Sequence, residues 1–174
     1  MSRKIWVPVA VALLVAMFVG PGGVTATEPR LTTASIMIPA SAFHPTSDDV
    51  DYKNEAYLKA NSATGVNGYF QAPLVFPVPV VNIKRITLYA YDRISNGQAC
   101  LQLRRSRPPL HETLTAGQVC TGSTSSGAVT VFTTDISPRR VDTANAAAYL
   151  WVSVTGTGAT DDVAVRGVRV TYSY

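Results

Sequence analysis

Apolar and polar residues alternate along most of the chain from Ser35 to its end. Ile36 and Ile38 flank Met37; Ile86, Leu88 and Ala90 alternate with Arg85, Thr87 and Tyr89; Ala99, Leu101 and Leu103 alternate with Cys100, Gln102 and Arg104. Val129 and Val131 interleave with Thr130, and Leu150, Val152 and Val154 interleave with Tyr149, Trp151 and Ser153. A period of two sends successive side chains to opposite faces, so each run predicts a strand with one buried face. β-branched and aromatic residues fill these runs and suit a pleated surface. No segment after residue 26 carries a convincing helical stripe, although Asp51 to Asn61 has room for a turn or two of helix.

Turn-forming clusters separate the runs: His44 to Asp49, Ser95-Asn96-Gly97, Arg107-Pro108-Pro109, Gly122 to Gly127 and Gly156 to Asp162. Asn96-Gly97 joins two alternating runs and predicts a tight hairpin, because these residues tolerate the positive φ such a turn demands. A longer hairpin is expected to run through Pro108 and Pro109 to Cys120. In the last run Val163 and Val165 share one parity while Val168, Val170 and Tyr172 share the other. A bulge at Gly167-Val168 restores a single inward face. Pro77 and Pro79 remove ladder donors at alternate positions, so Phe76 to Val80 is expected at an edge or in a connection. Short strands with Gly and Pro turns in one domain predict an all-β, two-sheet antiparallel sandwich that is jelly-roll-like. An immunoglobulin-like sandwich fits less well, since the two cysteines are close in sequence and no Trp lies between them.

The start of the chain changes the picture of compartment. Arg3 and Lys4 precede an apolar run from Ile5 to Val19, and Val24-Thr25-Ala26 supplies small residues, which together read as a cleavable secretory signal over residues 1–26. Residues 27–34 are expected as a flexible lead and residues 35–174 as the single β-sandwich domain, with no membrane anchor after cleavage. Removing Arg3 and Lys4 lowers the 15 basic residues to 13 against 11 acidic ones, so the +4 of the full chain becomes +2. That balance argues against nucleic acid as a partner. Cys100 and Cys120 are the only cysteines, and an even count in an exported chain predicts one disulfide.

Three segments carry a resemblance. Ile38-Pro39-Ala40-Ser41-Ala42-Phe43-His44-Pro45, Ile86 to Asp92, and Gly167-Val168-Arg169-Val170-Thr171-Tyr172 resemble a loose group of secreted bacterial β-sandwich proteins. That group opens with I-P-A-x-x-F-x-P, has a central strand ending in a Y-x-Y-D-like sequence, and closes on G-V-x-V-x-Y. The resemblance implies an extracellular compartment and a sandwich fold, and transfers no functional residue.

Reactive chemistry is sparse. No G-x-S-x-G elbow accompanies His44 or His111, so a Ser-His-Asp hydrolase lacks its usual frame. Paired carboxylates for glycoside hydrolysis have candidates in Asp48, Asp49, Asp51, Glu55, Asp92 and Glu112. Adjacent acids in a Pro-Thr-Ser-Asp-Asp context more often form solvated turns, and the same holds for Asp48, Asp49, Asp51, Asp161 and Asp162 as calcium ligands. No metal site or cofactor is expected. Lys84, Arg85, Arg93, Arg104, Arg105 and Arg107 all fall in the expected hairpin around Asn96, where Arg85 and Arg104 take outward parity and paired strands would assemble a cationic stripe suited to phosphate, sulfate or carboxylate. Charged outward positions also serve simply to protect sheet edges. Tyr89, Tyr91, Tyr149 and Trp151 take the parity opposite the aliphatic residues of their strands, and either stack on sugar rings or a protein partner or fill the core between two sheets. The expectation is therefore a secreted non-catalytic module that binds an extracellular glycan or protein, with homo-oligomerisation open. A small polysaccharide hydrolase and a structural subunit of a surface assembly are the alternatives.

Overall fold

A computed structural model describes residues 31–47, 52–54, 57–60, 68–95, 97–107, 112–122, 127–155 and 163–174. The signal over residues 1–26 lies outside the described residues, as do His111, Asp48, Asp49, Asp51, Glu55, Asp161 and Asp162. Twelve strands occur among the described residues: β1 (Thr33–Pro39), β2 (His44–Pro45), β3 (Tyr52–Asn54), β4 (Leu58–Ala60), β5 (Gly68–Leu74), β6 (Val80–Asp92), β7 (Gln98–Arg107), β8 (Glu112–Cys120), β9 (Gly127–Thr133), β10 (Arg140–Asp142), β11 (Ala147–Thr155) and β12 (Val163–Ser173). They form two antiparallel sheets. The protein is an all-β sandwich of jelly-roll-like type.

In the first sheet β12 pairs with β6 along one side, while β1 and β4 share its other side and β3 lies beyond β4. β9 and β10 share the far side of β6. The second sheet runs β2-β5-β11-β7-β8. Their inner faces meet through fully buried side chains, among them Ile86, Leu88, Val168 and Val170 from the first sheet and Phe70, Leu101, Leu103, Leu150 and Val152 from the second. Each such side chain contributes roughly 1.5–3 kcal/mol by leaving water. At one end Asp92 and Thr121 stitch the sheets together, Thr121 Oγ1 donating to Asp92 Oδ2 at 2.6 Å and accepting Ala99 N–H at 3.0 Å.

Several expectations need correction. Within the stretch where a turn or two of helix was expected, the described residues 52–54 and 58–60 are instead the short strands β3 and β4, which pair with each other. Thr33 and Ala34, expected within the flexible lead, pair with Ser173 and Tyr172, and Thr32 exchanges both backbone bonds with Tyr174. The terminal half of β12 would otherwise present an open edge, and these residues close it. Ser95-Asn96-Gly97 does not join a hairpin, because β6 and β7 belong to different sheets. Gly97 is needed for close packing there: a Cβ would lie 2.5 Å from Val163 Cγ2. The bulge in β12 falls one residue earlier than expected, since the register shifts between Val165 and Gly167 and leaves Arg166 as the extra residue. The long β7–β8 hairpin is present, with Cys100 opposite Cys120 and bridged to it.

Candidate functional site

The outer face of the second sheet concentrates aromatic and amide side chains. Pairing places His44 opposite Gln71, Gln71 opposite Trp151, Trp151 opposite Gln102 and Gln102 opposite Gln118. One straight row of five side chains therefore crosses all five strands, roughly 19 Å at ordinary strand spacing. They point outward because they alternate with the buried Phe70, Ala72, Leu101, Leu103, Leu150 and Val152. One row away stand Pro73, Tyr149, Arg104 and Thr115; on the other side stand Tyr69, Ser153 and the bridged Cys100 and Cys120.

Trp151 is held from two sides. Tyr69 stacks on it with ring centroids 4.9 Å apart and planes 23° from parallel. The Arg104 guanidinium lies 4.0 Å from its ring centroid. Tyr69 and Arg104 belong to the strands on opposite sides of β11, one step along in opposite directions, so they flank the indole diagonally. Each contact adds about 0.5–1.5 kcal/mol beyond area burial. Tyr69 is itself exposed and meets no other ring and no cation among the described residues.

The amides are oriented by a chain of hydrogen bonds. Arg104 Nε donates to Gln102 Oε1 at 2.8 Å, Gln102 Nε2 donates to Gln118 Oε1 at 3.1 Å, and Gln118 Nε2 approaches Cys120 Sγ at 3.5 Å. Gln71 and His44, both exposed, make no side-chain hydrogen bond among the described residues. The face thus offers fixed and free amide donors and acceptors beside rings, the combination that a hydroxyl-rich ligand with an apolar ring face requires.

The sequence-derived candidates separate into three places. Tyr149, Trp151 and Arg104 share this face. Tyr89, Tyr91 and Arg85 lie on the outer face of the first sheet, on the opposite side of the sandwich, so the single cationic stripe expected from Arg85, Arg104 and Arg105 does not form. The reason is the sheet change at Gly97, which separates the strands that the stripe needed as neighbours. Arg105 belongs to neither face. It takes the parity of Leu101 and Leu103, is 5% exposed, and its guanidinium is pushed below its ordinary pKa by burial and then by Arg107. All four aromatic candidates face outward; none fills the core.

On the first sheet, Arg85 lies over Phe132 at 4.6 Å, Arg169 over Tyr89 at 5.6 Å, and Arg93 and Arg166 over Tyr91 at 4.7 and 5.8 Å. Two of the described carboxylates are held by structural hydrogen bonds. Asp92 is buried and bonded to Thr121, and Asp142 caps its own turn through Ala144 N–H and Asn145 Nδ2. No group of three metal-ligating side chains occurs among the described residues.

Sequence reading missed His44, Tyr69, Gln71, Gln102 and Gln118 as members of the site. The available signal was the alternation of Tyr69, Gln71 and Pro73 with Phe70, Ala72 and Leu74, which marks β5 as a strand with a polar outer face.

No family model and no curated protein matches the chain. Among solved structures it is similar to the xylan-binding module CBM15, at 14% identity over 80% of this chain and 97% of that one, with a TM-score of 0.42. It is similar to a family 35 carbohydrate binding module from Clostridium thermocellum at 9% identity, covering 79% and 97% of the two chains, with a TM-score of 0.39. The K3 cleaved adhesin domain of Lys-gingipain from Porphyromonas gingivalis w83 matches at 9% identity over 82% and 99%, with a TM-score of 0.44. What this chain binds has to be read from its own side chains.

Proposed function

We propose that the protein is a non-catalytic glycan-binding module, exported from the cell, whose binding surface is the outer face of the β2-β5-β11-β7-β8 sheet. The observation that carries this reading is the row His44, Gln71, Trp151, Gln102 and Gln118, flanked by Tyr69 and Arg104. Amides hydrogen-bond sugar hydroxyls without demanding a charge, and the exposed Tyr69 accepts the C–H face of a pyranose ring. The length of the row suits several sugar units. Among the described residues no carboxylate stands on this face, which favours a neutral chain over a basic one. The Cys100–Cys120 bridge is consistent with an oxidising compartment, and together with the leader-like sequence of residues 1–26 it supports a place of action outside the cell.

The test is calorimetric titration with a panel of soluble neutral polysaccharides such as mannan, β-glucan and xylan, with a reducing-sugar assay run in parallel. At least one polysaccharide is expected to bind without release of reducing ends. Trp151→Ala should remove about 2 kcal/mol or more of the binding energy, as loss of a central aromatic anchor does. Turnover of the polymer, or unchanged affinity in Trp151→Ala, overturns the reading.

A further inference from the structure

We infer that the outer face of the first sheet is a second binding site, for an anionic polysaccharide bearing carboxylate or sulfate groups. It lies on the opposite side of the sandwich from the neutral-glycan face and has different chemistry. Arg85, Arg93, Arg166 and Arg169 are all exposed, and each rests on an aromatic ring of the same face. None is ion-paired or hydrogen-bonded through its side chain to any described residue. The described outward side chains along β6 from Arg85 to Tyr91 include no carboxylate to neutralise them.

A guanidinium stacked on a ring loses rotamer freedom but keeps its in-plane N–H groups, so it is held ready to grip an oxyanion with two parallel hydrogen bonds. The arginines extend from Arg85 within β6 to Arg93 just past its end, about 26 Å at strand rise, which fits a polymer with repeated charges better than a single small anion. The same stacking argues against single-stranded nucleic acid. That ligand needs open aromatic faces for its bases, and here the rings of Phe132, Tyr89 and Tyr91 are covered by guanidinium groups.

Affinity electrophoresis of the full chain in gels containing polygalacturonate or dextran sulfate tests the site. Fully methyl-esterified polygalacturonate serves as the uncharged control and an oligothymidylate as the nucleic-acid probe. Retardation is expected in at least one of the two anionic polymers, weakening as salt is added, and none in the esterified polymer. Arg85→Gln and Arg169→Gln should each weaken binding about tenfold. Arg107→Gln, which removes the same charge from the end of β7 in the other sheet, should leave it unchanged. Equal loss in Arg107→Gln, equal retardation by the esterified polymer, or tighter binding of the oligothymidylate overturns the proposal. Because probe and face both differ from those of the neutral-glycan test, either reading can fail without the other.

Discussion

Arg104 and Trp151 face outward on neighbouring strands, and the guanidinium of Arg104 lies 4.0 Å from the centroid of the Trp151 ring while its Nε donates to Gln102. One planar group therefore fixes an aromatic ring and an amide together. Lysine at this position keeps the charge but loses both the flat stack and the Nε donor. Arg104→Lys is expected to lower neutral-glycan affinity about five- to tenfold, the size of a lost cation–π contact and one hydrogen bond. Calorimetry measures the affinity, and an unchanged melting temperature shows that the fold is intact. Wild-type affinity in the variant would mean that the pairing orders nothing the ligand uses.

Thr121 joins Asp92 of the first sheet to the backbone of β7 in the second, and among the described residues no other side chain does so. Valine has the same shape without the hydroxyl, so Thr121→Val leaves a buried carboxylate and a buried Ala99 N–H each short of a partner. A loss of about 2–3 kcal/mol is expected. Urea unfolding checks it: the midpoint should fall while the dependence on denaturant stays the same.

How much of this could be read from the chain depends on whether a feature is local. Alternation in Ile86 to Ala90, Ala99 to Leu103 and Leu150 to Val154 is local, and it placed the strands and the outward parity of Arg104, while whether Tyr149 and Trp151 face solvent or a second layer depends on which sheet lies against them. The second sheet's row is not local. Gln71 meets Trp151, and Trp151 meets Gln102, only through the pairing register, which couples residues far apart in the chain. Asn96-Gly97 shows the same limit from the other side: its composition says turn, but that β6 and β7 enter different sheets is a matter of long-range pairing, β6 with β12 and β9 and β7 with β11 and β8. Arg105 was legible by parity, yet a buried guanidinium contradicts the usual cost of burying charge, so the cationic cluster was the more natural reading.

Gly167 sits between Pro39 and Tyr89 at the bulge in β12, and a Cβ there would stand 2.9 Å from the Ile38 carbonyl oxygen, a backbone atom that cannot swing aside. Gly167→Ala is expected to destabilise by about 1–3 kcal/mol through this overpacking. Gly122 is the matched control, since a Cβ there meets nothing within 4 Å. Differential scanning calorimetry of the two variants should show a lowered transition for Gly167→Ala and little change for Gly122→Ala. Equal transitions would mean that the β1–β12 pair yields easily at this point.

Arg105 points inward between the sheets, opposite Ala148 on β11 and Leu114 on β8, and its buried Nε has no hydrogen-bond partner. Burial, followed by the nearby charge of Arg107, holds its pKa below the ordinary value, so the folded state disfavours the charged form. For a base with a lowered folded-state pKa that penalty is present at all pH values where the group stays protonated, and arginine is protonated throughout the neutral range. Methionine has a similar length, no charge and enough flexibility to fill the same space. Arg105→Met is therefore expected to raise stability modestly, because it removes a buried Nε that has no partner together with the desolvation cost of a partly screened charge. The gain should appear as a higher midpoint in both urea and heat, at neutral pH. A lower midpoint would show that the Arg105 side chain contributes packing between the sheets that outweighs the cost of its buried Nε.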